Sequence, residues 1–269
     1  MVTVSLFILP PYCWALQLSL PEKAFQGDLI LGKVEPPASV LVNGEQHLVS
    51  SEGYFVVGVP RLERKDLSVL ATNGKEEVSK TIRTLVYKWG VQRIDGLPDR
   101  HITPPPEAMK QIEKDNQRVL DIRQAEAYPA PLFLEDGFVS PVNGPISSIF
   151  GNQRILNGQP RSPHRGVDFA APKGTPVYSP TNGIVRLVAK KMYLMGNTLM
   201  LDHGLGVQSI FIHLASILVR EGDPIEQGKI VGLVGETGRA SAPHLHWGIS
   251  VGSILVDPVR LLKKRYMIP

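Results

Sequence analysis

The second half of the chain contains three short histidine-bearing segments whose residue types suit metal-assisted hydrolysis. Four of the five histidines after residue 160 lie in these segments. A catalytic zinc site needs about three protein ligands, commonly imidazole nitrogens and a carboxylate, and keeps another position open for water. Such a reaction also needs side chains that exchange protons near neutral pH, as imidazole does. The segments are His164-Arg165-Gly166-Val167-Asp168, Phe211-Ile212-His213-Leu214 and Pro243-His244-Leu245-His246-Trp247.

One metal site and one acid–base pair account for five of these residues. His164, Asp168 and one histidine of the His244/His246 pair provide three ligands, and His213 and the other histidine remain for proton transfer. Residues two apart on a strand point to the same face, so His244 and His246 can converge on one site. Spacing alone leaves open which of the two binds the metal.

The elements that carry these residues are predicted to be strands. Gly166, between His164 and Asp168, favours an extended chain over a helix. Strict alternation along residues 207–213 places Phe211 and His213 on one face, with His213 at the end of a strand next to that of the histidine pair. A sheet would therefore hold the site rigidly.

An ordered set of motifs between Phe150 and Trp247 resembles the lysostaphin-type (LytM-like) zinc peptidases that cut peptidoglycan. The segments are FGNQRILNG, PHRGVDFAAPKGTPVYSP, DHGLG, FIHL, GDPIEQGKIVGLVGETGR and PHLHW, and they cover roughly the last half of the chain. The resemblance implies a compact antiparallel β-fold of the duplicated hybrid motif type, with zinc at the floor of a groove. It also implies a peptide bond in peptidoglycan cross-links or stem peptides as the substrate.

The resemblance also implies roles for the five residues. The zinc ligands are His164, Asp168 and His246, and the catalytic histidines are His213 and His244. None of the five is missing, which counts against the metal-free relatives that act as activators. The alternative of a non-enzymatic envelope regulator, an amidase activator or wall-binding module, predicts lost ligands. A second alternative, a non-haem iron oxygenase, usually spaces its first ligand pair as H-x-D rather than H-x-x-x-D.

Further residues near the motifs are weaker candidates. Arg154 and Asn157 lie in a segment that resembles one bordering the substrate cleft, so they are predicted to contact substrate or to cap a loop. His203 is predicted to be a turn residue that shapes the cleft. Trp247, with Pro243, is predicted either to wall the groove or to pack in the core.

Composition indicates an exported globular protein. The 269 residues are 43% hydrophobic and 20% charged, and residues 1–15, uncharged and mostly apolar, are predicted to be a signal peptide cut near Ala15. Cys13 is the only cysteine of the chain, so the mature protein has neither a disulfide nor a thiol nucleophile. After cleavage we expect no stable membrane insertion, and we predict a bacterial periplasmic or envelope location.

Charge and aromatic content bear on the partners. The net charge of +4 favours a polyanionic partner such as a cell wall carrying carboxylates. Scattered cationic residues and 7% aromatic content argue against nucleic acid. The oligomeric state is not predictable from the sequence.

The expected fold class is all-β, with an N-terminal small β-sandwich, a connecting helix and the C-terminal compact antiparallel β catalytic domain. Short apolar runs separated by Asn43-Gly44 and Asn73-Gly74 predict a sandwich over residues 21–90. Residues 91–135 are predicted to be a linker, irregular until a helix begins on the prolines near residue 104, with Thr103 near its cap, and ends near 127. The catalytic domain follows at residues 136–269.

Overall fold

The structure, a computed structural model, describes residues 15–96 and 103–262. Apart from Ala15, the predicted signal peptide lies outside the described residues. The described chain is mostly β-strand, mainly in antiparallel sheets, with few helices, which confirms the predicted all-β class. No helix in these two ranges has the length and apolarity needed to cross a bilayer.

The N-terminal part folds into two sheets that enclose an apolar core. One sheet has the order β1-β3-β6 and the other β2-β8-β7-β4-β5. The Asn43-Gly44 dipeptide turns the chain between β4 and β5 with φ of 50° and 86°, the left-handed pair that a tight hairpin requires. The strands are β1 Gln17–Ser19, β2 Lys23–Phe25, β3 Leu29–Glu35, β4 Ser39–Val42, β5 Glu45–His47, β6 Tyr54–Gly58, β7 Leu67–Thr72 and β8 Glu77–Leu85.

The C-terminal part is built on a large sheet of order β10-β13-β21-β17-β16-β15-β19, with β22 paired to β21. A smaller sheet has the order β14-β20-β18, and another has the order β12-β11-β9. The strands are β9 Val91–Ile94, β10 Ile146–Ser148, β11 Gln153–Leu156, β12 Gln159–Arg161, β13 Val167–Ala170, β14 Pro176–Tyr178, β15 Gly183–Met192, β16 Gly196–Asp202, β17 Val207–Leu214, β18 Ser216–Ile217, β19 Pro224–Ile225, β20 Ile230–Leu233, β21 His244–Val251 and β22 Ile254–Val256.

Strand β9 corrects the expectation that the chain before the helix is irregular. Val91–Ile94 runs parallel to β11, with Gln92 paired to Arg154. The error has a physical cause: the partner of β9 is distant in sequence, so no local pattern in residues 91–94 reveals the pairing. The domain boundaries at 21–90, 91–135 and 136–269 stay a prediction.

Helix α1, Pro106–Gln124, matches the helix expected near residues 104–127. Its N-cap residue is Pro105, two residues after Thr103, and no side chain donates or accepts a capping hydrogen bond there. The helix packs on the large sheet of the C-terminal part, where Val119 and Ile122 contact a cluster that includes Met200 and Ile210. Helix α2, Pro258–Leu261, follows β22.

The opposite face of the large sheet packs against the N-terminal part. Leu29, Leu31, Tyr54 and Val56 of β3 and β6 belong to the same buried cluster as Trp247 of β21. An ion pair crosses this interface as well, because Arg260 Nη1 lies 2.7 Å from Asp28 Oδ1. This buried cluster therefore spans both parts of the described chain, in addition to the separate core between the two N-terminal sheets, and helix α1 covers the other face of the large sheet.

Candidate metal and acid–base site

The metal-ligand candidates come together on one face of the large sheet, at the neighbouring strands β13 and β21. Asp168 on β13 pairs directly with His246 on β21, so their side chains share a face. His164, just before β13, completes a buried group of three whose ligand atoms lie within 4.8 Å of one another. Gly166 permits this approach, because a Cβ there would lie 2.7 Å from His246 Nε2. The structure thus brings all three candidates to one point.

The three facing donor atoms form a nearly equilateral triangle. His164 Nε2 lies 3.0 Å from Asp168 Oδ1 and 2.9 Å from His246 Nδ1. His246 Nδ1 lies 2.7 Å from Asp168 Oδ1. A tetrahedral zinc ion with bonds of about 2.0–2.1 Å has donor atoms about 3.3 Å apart. The triangle is close to one face of that tetrahedron, so the donor set fits zinc in both chemistry and spacing.

The second nitrogen of His164 is held by protein oxygens. Nδ1 lies 3.0 Å from the Ile149 carbonyl oxygen and 3.0 Å from Ser148 Oγ. Since a carbonyl only accepts, Nδ1 carries the proton and donates it, which leaves the lone pair of Nε2 directed at the triangle. This is the tautomer that a metal ligand needs.

The protonation of the triangle also suits a cation. Burial lowers the pKa of His164 to about 4, so the ring is neutral. Burial alone raises the pKa of Asp168, but the close contacts of its carboxylate with the rings of His164 and His246 outweigh burial and hold this pKa far below its usual range. Arg154 Nη2 adds an ion pair at 2.8 Å from Asp168 Oδ2. The site therefore presents an ionised carboxylate next to a neutral imidazole.

His213 and His244 form a second pair beside the triangle. Their ring centroids are 4.8 Å apart. His213 Nδ1 donates to the Thr237 carbonyl at 2.8 Å, and His244 Nδ1 donates to the Ala242 carbonyl at 2.8 Å. Both rings consequently keep an Nε2 lone pair for proton exchange. Burial, followed by the charge of His244, lowers the pKa of His213 to about 3.

The predicted alternation through His213 is wrong. Phe211 pairs with Trp247, and both are fully buried in the core. His213 would face the core too, but the register between β16 and β17 shifts here and His213 adopts φ 65°. Such a bulge with a left-handed residue redirects one side chain. The bulge turns the His213 side chain towards His244. The alternation of residue types along the strand does not reveal this local backbone distortion.

The other sequence candidates divide between the site and the core. Arg154 reaches the site through Asp168, whereas Asn157 lies in the β11–β12 turn with φ 44°. Trp247 is fully buried, so it packs in the core. His203 is fully buried as well and lines no cleft: its Nδ1 donates to the Asn182 carbonyl at 2.8 Å, and its Nε2 accepts from Ser209 Oγ at 2.7 Å.

Buried His203 predicts a pH dependence of stability. Burial lowers the pKa of His203 from 6.5 to about 4. Because the folded pKa lies below the unfolded one, protons bind the unfolded chain first. This contribution to stability is complete above pH 6.5 and is lost as the pH falls towards 4, by roughly 3 kcal/mol. Chemical unfolding at a series of pH values should show a smaller decrease in the free energy of unfolding with falling pH for His203→Gln than for wild type. An equal decrease in both proteins would contradict the prediction.

Two residues that support the site were missed by the sequence reasoning. Ser148 Oγ contacts His164 Nδ1 and donates to Gln92 Oε1 at 2.8 Å. Neither residue belongs to a motif of the sequence, and Gln92 reaches the site only through the pairing of β9 with β11. No local signal marks them.

Comparison with known proteins assigns the region that holds the site. Residues 162–258 match the model of peptidase family M23. A peptidoglycan DD-endopeptidase, ShyA of Vibrio cholerae, is 40% identical over 107 residues, which are 39% of this chain and 25% of that protein. A DD-carboxypeptidase/endopeptidase, Mpg of Neisseria meningitidis, is 38% identical over 96 residues, 36% of this chain and 22% of that protein. The matched part thus spans about a quarter of the length of these curated relatives.

A solved structure extends the similarity beyond the site. A Pseudomonas aeruginosa chain described as a peptidase M23 superposes with a TM-score of 0.68 at 28% identity, over 89% of this chain and 95% of that one. The peptidase resemblance seen in the sequence motifs is confirmed. Residues 162–258, which contain the donor triangle and the histidine pair, form a domain of peptidase family M23.

Proposed function

We propose that the protein is a zinc-dependent peptidoglycan hydrolase, a metalloendopeptidase that cleaves a peptide bond in cell-wall cross-links or stem peptides. The observation that carries this proposal is the buried donor triangle of His164, Asp168 and His246 beside an independent pair of histidines. The names of the two curated relatives, a peptidoglycan DD-endopeptidase and a DD-carboxypeptidase/endopeptidase, support the substrate class. Such a substrate favours the bacterial envelope or periplasm as the location, with the predicted signal peptide for export.

In this proposal His164, Asp168 and His246 hold the zinc. When bound, zinc supplies Lewis acidity towards a carbonyl oxygen and lowers the pKa of a water molecule towards neutrality. Arg154 fixes the second oxygen of Asp168, which leaves Oδ1 directed at the triangle. Arg154 is therefore assigned to the support of a ligand, and contact of Asn157 with substrate stays a prediction.

His213 and His244 act on the protons in this proposal. Each has its Nδ1 proton committed to a carbonyl oxygen, so each presents Nε2 as a proton acceptor and, once protonated, as a donor. The carbonyl contacts also fix the orientation of both rings. One of the two imidazoles can accept a proton from the attacking water at Nε2, and the Nε2–H group so formed can then stabilise the developing oxyanion or protonate the leaving amine.

The test combines metal analysis with digestion of purified peptidoglycan of known cross-link type. We expect about one zinc per chain, release of peptide fragments identified by mass, loss of this activity on prolonged chelation and its return with zinc. Iron in place of zinc would favour the oxygenase alternative. Zinc binding without any fragment release would favour the regulator alternative, and activity that resists chelation would overturn the proposal.

A further inference from the structure

We propose that residues 89–94, the bracing segment, are a positioning element of the metal site and that Gln92, through Ser148, reinforces the metal-binding tautomer of His164 that the Ile149 carbonyl also favours. This inference rests on the zinc site of the proposed function. It places Gln92, as part of the metal site's support, outside residues 162–258 and within the predicted linker.

A series of hydrogen bonds through Gln92, Ser148 and His164 connects the bracing segment to the metal ligand. Ser148 Oγ donates to Gln92 Oε1 at 2.8 Å. The same oxygen lies 3.0 Å from His164 Nδ1 and therefore accepts there, because its own proton is committed to Gln92. His164 Nδ1 thus keeps its proton, shared with the Ile149 carbonyl, and Nε2 keeps its lone pair. The acceptor oxygen of Gln92 fixes the direction of the Ser148 hydroxyl, and so it acts together with the Ile149 carbonyl to keep the proton on Nδ1.

Loss of that acceptor has a specific consequence. The hydroxyl of Ser148 would then be free to donate to His164 Nδ1, which stabilises the tautomer with the proton on Nε2. That proton would lie between His164 and Asp168, whose atoms are 3.0 Å apart, and it would compete with a metal ion for the Nε2 lone pair. Partners of this kind around a metal-ligating histidine commonly contribute about tenfold to a hundredfold in metal affinity.

The backbone of the bracing segment also holds the loop of residues 149–152 in place. The Gly90 amide donates to Asn152 Oδ1 at 3.0 Å, and the Gln153 amide donates to the Gly90 carbonyl at 2.9 Å. Asn152 in turn accepts from the His164 amide at 2.9 Å through its carbonyl oxygen. Side-chain and backbone contacts therefore converge on the loop of residues 149–152 and, through it, on His164.

An aromatic contact ties this loop to the N-terminal part. Trp89 lies against Phe150 with ring centroids 5.6 Å apart, and it covers Gly151 so closely that a Cβ there would be 2.2 Å from the indole. Arg61 donates to the Gly151 carbonyl at 2.7 Å and also lies over the Trp89 ring. The N-terminal part thus supports the loop through the bracing segment.

The decisive experiment compares Gln92→Met, Gln92→Glu and Arg93→Met in the full-length protein. Methionine preserves the length of Gln92 but has no strong acceptor, whereas glutamate keeps an acceptor oxygen. Arg93 is an exposed neighbour on the same strand and serves as the control. Zinc affinity is measured by competition with a chelator, and the His164 tautomer by nitrogen NMR of the imidazole. We expect about tenfold weaker zinc binding for Gln92→Met, with a larger share of Nε2–H tautomer, and changes below about threefold for the other two.

A double-mutant cycle separates this role from general structural support. In a Ser148→Ala background no hydroxyl can donate to His164, so Gln92→Met should have no further effect on zinc affinity. Equal losses in both backgrounds, an unchanged tautomer, or an equal loss in Arg93→Met would overturn the inference. This also holds if Gln92→Met is less stable, because the cycle and the tautomer are measured on folded protein. Failure of the wild type to bind zinc would instead overturn the proposed function.

Discussion

Replacing Asp168 with alanine is expected to weaken zinc binding by more than about a hundredfold and to abolish hydrolysis. Asp168 supplies the charged corner of the donor triangle, with Oδ1 at 3.0 Å from His164 Nε2 and 2.7 Å from His246 Nδ1. Its removal also leaves Arg154 without its ion-pair partner beside the metal position. The remaining cation would repel a metal ion, so the loss should exceed that of either histidine variant, His164→Ala or His246→Ala.

Metal content and hydrolysis rate should be measured together for all three ligand variants. His47→Ala is a matched control, because His47 lies in β5 of the N-terminal part and outside the site. We expect this control to retain both zinc and activity. If Asp168→Ala kept zinc and a rate within about tenfold of the wild type, the assignment of the triangle would be wrong.

Replacing His213 or His244 is expected to have a different signature, in which zinc stays bound and turnover falls by about a hundredfold to ten-thousandfold. Neither ring belongs to the donor triangle, and their Nδ1 protons are committed to the carbonyls of Thr237 and Ala242. The lost groups act on protons and on developing charge, so kcat should fall while zinc affinity changes little.

The choice of substitution matters at His213, because its φ of 65° is a conformation that most side chains disfavour. Asparagine tolerates it best among non-glycine residues, so His213→Asn removes the imidazole with the least backbone strain. His244→Ala is the companion variant. Loss of zinc by His244→Ala with retention by His246→Ala would reverse the assignment within the pair, and full activity of His213→Asn would make His213 structural.

The sequence by itself determined the candidate residues of the site and the class of the fold. Histidine and aspartate at catalytic spacing in an ordered set of motifs identified His164, Asp168, His213, His244 and His246, which the structure brings together. Asn-Gly at residues 43–44 predicted a hairpin, and the prolines near residue 104 predicted the start of the connecting helix. These features depend on residue type and on local backbone preference, which one strand, one turn or one helix expresses without the rest of the chain.

Tertiary structure alone decided how the side chains of those residues are oriented and which contacts hold them in place. The bulge that turns His213 away from the core, the contact of Arg154 with Asp168 and the link from Gln92 through Ser148 to His164 each join segments distant in sequence. The burial of His203 in a hydrogen-bonded core position is of the same kind. Such contacts form only when strands from different parts of the chain pair and close a common core, so their geometry has no counterpart in the local periodicity of the sequence.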